Sequence, residues 1–170
     1  MDLKALVRSI PDFPKEGILF RDITPLIGNA EGFEELIAQM AETLRDKDVD
    51  VVVGPEARGF IFGTALAYAL HAGFVPARKP GKLPYETISY EYALEYGTDR
   101  LEIHADAIRP GQRVAIVDDL LATGGTALAC AKLCEKAGGK VVGCAFAIEL
   151  TDLDGRKVLS DYPVHTILQY

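Results

Sequence analysis

The chain alternates between two kinds of hydrophobic pattern. Short continuous apolar runs at 49–53, 74–77, 140–148 and 164–168, with another opening at Val114, predict strands buried on both faces. Between them lie helical patterns. Phe33, Leu36, Ile37, Met40 and Leu44 fall on one face of a helix over 31–44, with Asn29 as its cap. Residues 60–71 and 127–137 read as two more helices, the second stopped at Gly138 and Gly139. At the front, Leu3, Leu6, Val7 and Ile10 share one helical face, so 3–10 predicts a short amphipathic helix ended by Pro11 and Pro14. Near the other end, 153–159 reads as a polar link or a short helix.

Two stretches break the alternation. In the first, Ile88, Tyr90, Tyr92, Leu94 and Tyr96 alternate with Ser89, Glu91, Ala93 and Glu95, a period-two pattern with one polar face. Gly97, Thr98 and Asp99 turn the chain, and 100–104 returns. This is a hairpin inserted between parallel elements. An isolated hairpin is marginal in water, so mobility is expected, and over a cleft a mobile hairpin is a lid. In the second, 13–25 carries Gly17, two prolines and five large apolar side chains with no period. It is either a flap that packs on a ligand or a plain wrap over the core.

Alternating strands and helices argue an α/β fold: a parallel sheet with helices on both faces, in a single domain over 1–170. The flap occupies 11–27 and the hairpin lid about 83–104. In such a fold the loops after the strands gather at one edge of the sheet.

Composition narrows the classes. The 170 residues are 49% hydrophobic, an ordinary globular chain with room for one core. A net charge of −7 argues against general nucleic-acid binding, while leaving room for a local basic site. No apolar run reaches the roughly 18 residues of a membrane span. The first ten residues mix acid and base and lack the apolar core of a signal peptide. Cys130, Cys134 and Cys144 fit a reducing compartment, so a cytoplasmic location is expected. Cys130 and Cys134 lie four apart on a predicted helix. No histidine or further cysteine is close in sequence, which favours core packing over a metal pair.

The candidate chemistry centres on 114–126, Val-Ala-Ile-Val-Asp-Asp-Leu-Leu-Ala-Thr-Gly-Gly-Thr. A strand delivers Asp118 and Asp119, then a small-residue loop, Ala122, Thr123, Gly124, Gly125 and Thr126, opens a helix. Glycines let backbone amides converge on an anion, and the helix start adds unpaired N–H groups. A phosphate suits that cup. The acids would repel it and so face sugar hydroxyls or a Mg²⁺ that travels with phosphates. Neither a Walker A lysine nor a Gly-x-Gly-x-x-Gly fingerprint is present. Elsewhere, Arg58 sits in a glycine-flanked loop after the first predicted strand, as a surface residue or a ligand contact. Arg78, Lys79 and Lys82 form a basic loop after the next strand, either a solvated face or an anion site, and the position after a strand favours the anion. Two anion sites with two carboxylates between them fit a ligand with a phosphate at each end and a hydroxylated middle.

The 114–126 stretch resembles the phosphoribosyl-diphosphate (PRPP) motif of the type I phosphoribosyltransferases. The Phe-Arg-Asp-Ile segment at 20–23, Glu-Ala-Arg-Gly-Phe at 56–60, Arg-Lys-Pro-Gly-Lys-Leu-Pro at 78–84, Leu-Glu-Tyr-Gly at 94–97 and Glu-Leu at 149–150 are similar, in order, to the adenine-using branch of that family. The resemblance implies a reaction in which adenine and PRPP give AMP and pyrophosphate with Mg²⁺, through an oxocarbenium-like transition state, in a homodimer. It also implies roles. The loop from Ala122 to Thr126 holds the 5′-phosphate. Asp118 and Asp119 bind the ribose hydroxyls, directly or through Mg²⁺. Arg58, Lys79 and Lys82 hold pyrophosphate, with Arg78 acting across the dimer. Phe20 packs on the base, and backbone groups at Leu19 and Arg21 read its edge. Glu95 and Tyr96 lie on the lid, with Glu95 as the general acid/base. The alternatives are an enzyme for another purine or orotate, a PRPP-sensing regulator, or an inert binding module. A regulator would carry a DNA-binding unit or a basic face, which this acidic chain lacks.

Overall fold

The computed structural model describes residues 1–93 and 96–170. The chain opens with a 3-10 turn at Leu3–Leu6, then β1 (Arg8–Ile10), β2 (Phe20–Asp22), α1 (Thr24–Ile27) and α2 (Ala30–Leu44). Next come β3 (Val51–Pro55), α3 (Arg58–Leu70), β4 (Gly73–Ala77) and the hairpin strands β5 (Thr87–Ala93) and β6 (Thr98–His104). The rest is β7 (Arg113–Leu121), α4 (Gly125–Lys136), β8 (Lys140–Glu149), α5 (Gly155–Val158) and β9 (Val164–Gln169).

The expected sheet is there. Five strands run β4-β3-β7-β8-β9, every neighbour parallel. Period-two alternation splits each central strand between two cores. Val51, Val53, Val114, Ile116, Cys144 and Phe146 pack under α4 with Cys130, Leu133 and Cys134. Val52, Ala115, Val117, Ala145 and Ala147 face the other way, against Leu36, Met40, Leu44, Phe62 and Leu66 of α2 and α3. Burial on both faces explains why these strands read as unbroken apolar runs. The three cysteines are free and buried, as core packing requires. Asn29 caps α2, its side chain accepting from the Gly32 amide at 2.8 Å. Among the described residues no helix is long and apolar enough to cross a membrane.

The strand order reverses between β3 and β7: β4 lies on one side of β3, and the chain then crosses back to add β7, β8 and β9 on the other. That reversal leaves a crevice at the carboxyl ends of β3 and β7, where α/β sheets bind ligands.

One expected element is different. Helix in the expected 3–10 stretch is confined to the 3-10 turn at Leu3–Leu6, because β1 then pairs antiparallel with β2, Arg8 opposite Asp22 and Ile10 opposite Phe20. A pattern only two turns long cannot outweigh such pairing. The pairing draws the flap into a small sheet of its own.

The hairpin forms in full register from Thr87 opposite His104 to Ala93 opposite Thr98. It is rooted in the molecule. Leu101 and Ile103 of β6 are buried, and Ile88, Tyr90 and Tyr92 pack on the core beside α4.

Candidate active site

Three cavities lie in a row along the crevice. The first, about 90 Å³, is lined by Asp118, Leu120 to Gly124, Thr126, Ala127 and Phe146. The second, about 290 Å³, is lined by Glu56, Ala57, Arg58, Asp118, Asp119 and Thr126. The third, about 390 Å³, lies under the flap and is lined by Phe13, Phe20, Arg21, Arg58 and Asp119 among others. Asp118 and Thr126 belong to the first two, Arg58 and Asp119 to the last two. The row is therefore continuous.

The small-residue loop is built as a cup. Gly124 takes φ 89°, a left-handed conformation that a side chain resists, and α4 starts at the next residue. No side chain caps that helix. Its first amides and positive dipole end are left for an anion.

Asp118 and Asp119 lie toward the carboxyl end of β7, which continues through Leu120 and Leu121. Burial raises the Asp118 carboxyl well above its ordinary value, and the adjacent Asp119 carboxylate adds to the rise. Its Oδ1 accepts from the Asp119 amide at 2.8 Å. Asp119 is buried, with 8% of its surface exposed, and its Oδ2 accepts from Arg58 Nε at 2.5 Å. Arg58 is thus in the site, at the first turn of α3 rather than in the loop before it, and it is already paired.

The basic loop is organised from below by Glu56, a residue that sequence patterns did not single out. Glu56 Oε1 accepts from the Lys79 amide at 2.8 Å and from Arg78 Nε at 3.3 Å. Arg78 also lies over the Phe60 ring, 6.0 Å from its centroid. The Lys79 ammonium is hydrogen-bonded to Asp99 of β6. Tyr92 of β5 donates its hydroxyl to the same carboxylate at 3.3 Å. Burial works to lower the Lys79 pKa, but Asp99 and Tyr92 outweigh it and hold it above its ordinary value. Lys79 in turn depresses Asp99, against the pull of burial. Lys82 is exposed, and among the described residues Arg78, Lys79 and Lys82 line none of the three cavities.

In the flap, the Phe20 ring meets the Phe13 ring edge-on, centroids 5.1 Å apart, at the third cavity. Arg21 also lines this cavity, and its side chain is held by two neighbours. Its Nη1 donates to Ser9 Oγ at 2.6 Å and its guanidinium lies 4.1 Å from the Tyr170 ring centroid. Leu19 is half exposed. Tyr96 is exposed, 87% of its surface open. Leu94 and Glu95, the latter the expected acid/base, lie outside the described residues.

The crevice thus joins an anion cup, two carboxylates with an arginine, and an aromatic-lined slot. That is the layout of a phosphoribosyl transferase, and residues 27–168 match the phosphoribosyl transferase domain family. Full-length relatives narrow it further. The adenine phosphoribosyltransferase of Clostridium botulinum is 65% identical over 100% of this chain and 99% of its own. That of Pseudothermotoga lettingae is 59% identical over the whole of both chains. The crystal structure of the Thermoanaerobacter pseudethanolicus enzyme superposes with a TM-score of 0.96 at 57% identity, covering 99% of this chain and 98% of that one. The Saccharomyces cerevisiae enzyme, complexed with an imino-altritol bisphosphate and adenine, matches with a TM-score of 0.92 at 44% identity, over 97% and 96%. The chain belongs to the adenine phosphoribosyltransferase family.

Proposed function

We propose that the protein transfers the 5-phosphoribosyl group of PRPP to N9 of adenine, releasing pyrophosphate and giving AMP. The row of three cavities joined through Asp118, Thr126, Arg58 and Asp119 is the observation that carries this reading. It matches a substrate with phosphate at one end, ribose and pyrophosphate in the middle and a flat base at the other. The yeast relative, solved with a bisphosphate and adenine together, supports a site that takes both kinds of ligand.

In this reading the Ala122–Thr126 loop takes the 5′-phosphate on its amides and hydroxyls. Asp118 and Asp119 hold the ribose hydroxyls and favour positive charge on the ring as the glycosidic bond breaks. Arg58 and Lys79, with Lys82, take the pyrophosphate; both Arg58 and Lys79 exchange a carboxylate partner for it. Adenine stacks on Phe20, with the Leu19 and Arg21 backbone at its edge. Residues 11–27 act as the base flap and 83–104 as the lid, within one domain over 1–170. The lid carries Tyr96 and Glu95, and Glu95 handles the purine proton. Closing it excludes water, which would otherwise hydrolyse PRPP.

Mg²⁺ comes with PRPP. An ion held mainly by phosphate oxygens needs one or two protein carboxylates, and Asp118 and Asp119 supply that number. Held there by Asp118 and Asp119, the ion would supply positive charge beside the pyrophosphate. The protein works in the cytoplasm, in keeping with its three free cysteines. It works as a homodimer. An apolar groove between α2 and α3, lined by Phe33, Ile61 and Tyr68, supports that state, with Tyr68 91% exposed. In the dimer Arg78 reaches the partner's pyrophosphate.

Purified protein mixed with adenine, PRPP and Mg²⁺ is expected to yield AMP and pyrophosphate. Guanine, hypoxanthine, xanthine and orotate, offered in competition, are expected to give no nucleotide at comparable rates. A preference for any of them would move the assignment to a sister activity. Changing Glu95 to Gln is expected to lower kcat with near-normal PRPP affinity. Weak PRPP binding at normal kcat would instead make Glu95 a binding residue.

A further inference from the structure

Gly155, the first residue of α5, has no room for a side chain. A Cβ there would lie 2.5 Å from the Ala122 carbonyl oxygen and 2.7 Å from Leu121 Cδ1. The approach is mutual, since a Cβ on Gly124 would sit 2.9 Å from the Gly155 carbonyl oxygen. The start of α5 is therefore seated directly against the cup. Yet α5 has four residues and no side-chain cap, too little to hold itself in place.

Arg156, the next residue, holds it. Its Nε donates to both carboxylate oxygens of Glu149, at 3.1 and 2.9 Å. Its Nη1 donates to the Val164 carbonyl at 3.0 Å and its Nη2 to Thr166 Oγ1 at 3.1 Å. Thr166 donates in turn to Glu149 Oε1 at 2.8 Å. Glu149 ends β8 and is only 5% exposed. Burial works to raise its carboxyl, but Arg156, Thr166 and Gln169 outweigh it and hold it below the usual carboxylate range. A carboxylate so enclosed does not release its arginine cheaply. Neither Glu149 nor Arg156 lines any of the three cavities.

We infer that Glu149 and Arg156 are positioning residues for the phosphate cup: their fork clamps α5 to β8 and β9, so that Gly155 fixes the backbone of Ala122 and Gly124 from outside the site. The inference rests on the proposed seat of the 5′-phosphate in that loop. Its consequence is local. Loosening the clamp blurs the amides that meet the phosphate and leaves the base slot and the pyrophosphate loop as they were.

The test uses three ligands measured separately by calorimetry on the full chain: ribose 5-phosphate, pyrophosphate with Mg²⁺, and adenine. Arg156→Met is expected to weaken ribose 5-phosphate by about fivefold or more and to raise the KM for PRPP to match, with the other two ligands and kcat within about twofold. Thr126→Val reports on the cup itself. If it weakens ribose 5-phosphate and Arg156→Met does not, the clamp is overturned and the cup stands. If neither variant changes that affinity, the 5′-phosphate is not seated in the cup. Equal loss of all three ligands in Arg156→Met would show a general structural role and also overturn the inference. Arg156→Lys is read in parallel, in case the Met variant does not fold. It keeps the charge but not the fork. A loss of about twofold confined to ribose 5-phosphate is expected; loss spread over all three ligands, or none at all, overturns the inference.

Discussion

Two neighbouring aspartates of one strand face different surroundings. Successive side chains leave a strand on opposite sides. Asp118 accordingly lines the first cavity and Asp119 the third, under the flap, while both line the one between. Asp118 is enclosed and its carboxyl raised, and Asp119 carries Arg58. If Asp119 stabilises the ribosyl transition state, replacing it with Asn removes a charge that is wanted only there. We expect Asp119→Asn to lower kcat by more than about tenfold, each decade being about 1.4 kcal/mol. The fold should hold, because Asn keeps the shape of the side chain and Arg58, 59% exposed, can turn to solvent rather than be left as a buried unpaired charge. Steady-state rates equal to wild type, with an unchanged melting temperature, would remove the role.

At the scale of elements, the hairpin is half of what its pattern implied. Ile88, Tyr90 and Tyr92 do face inward, as period two requires, and they fasten the strands to α4. The polar link is new: Lys79 of the basic loop is tied to Asp99, with the Tyr92 hydroxyl on the same carboxylate. If Lys79 takes the pyrophosphate as proposed, Asp99 competes for that ammonium. We expect Asp99→Asn to tighten pyrophosphate binding by about two- to fivefold, the scale of a partly exposed ion pair. Unchanged or weaker binding in a titration would show that Asp99 does not compete. The difference between what was legible and what was not has the same origin. Strands, helices and the 114–126 cup are written in runs of adjacent residues. The Arg58–Asp119 pair joins residues 61 apart, brought together because β3 and β7 are neighbours, and the Lys79–Asp99 pair joins residues 20 apart, brought together where Arg78 bridges Glu102 of β6. The pairing of β1 with β2 was hidden for that reason, and so was Glu56 beneath the basic loop.

At the scale of the molecule, the two cores set how stability responds to pH. Burial pushes the thiols of Cys134 and Cys144 from 9.0 up to about 12, with further charge repulsion at Cys134 from Cys144 and Glu135. Both lie on the α4 side of the sheet. A raised native pKa means that the unfolded chain loses these protons first. Their contribution to stability is complete below about pH 9, declines above it, and is gone once the pH passes the native value of about 12. The acid side has the opposite sign. Asp99 and Glu149 titrate below their ordinary 3.8 and 4.5 in the folded state, so stability falls as pH drops below those values. The melting temperature should therefore form a plateau with two limbs of separate origin. Replacing Cys134 and Cys144 together by Ala removes two late-titrating thiols and no carboxylate. The double variant will melt lower everywhere, because small cavities open in the core. Its alkaline limb, from about pH 9 upward, should nevertheless be shallower than that of the parent protein, and its acid limb parallel. Parallel alkaline limbs in calorimetric scans would show that these two thiols do not govern the loss and that other groups raised by burial, such as Cys130 or Tyr162, do.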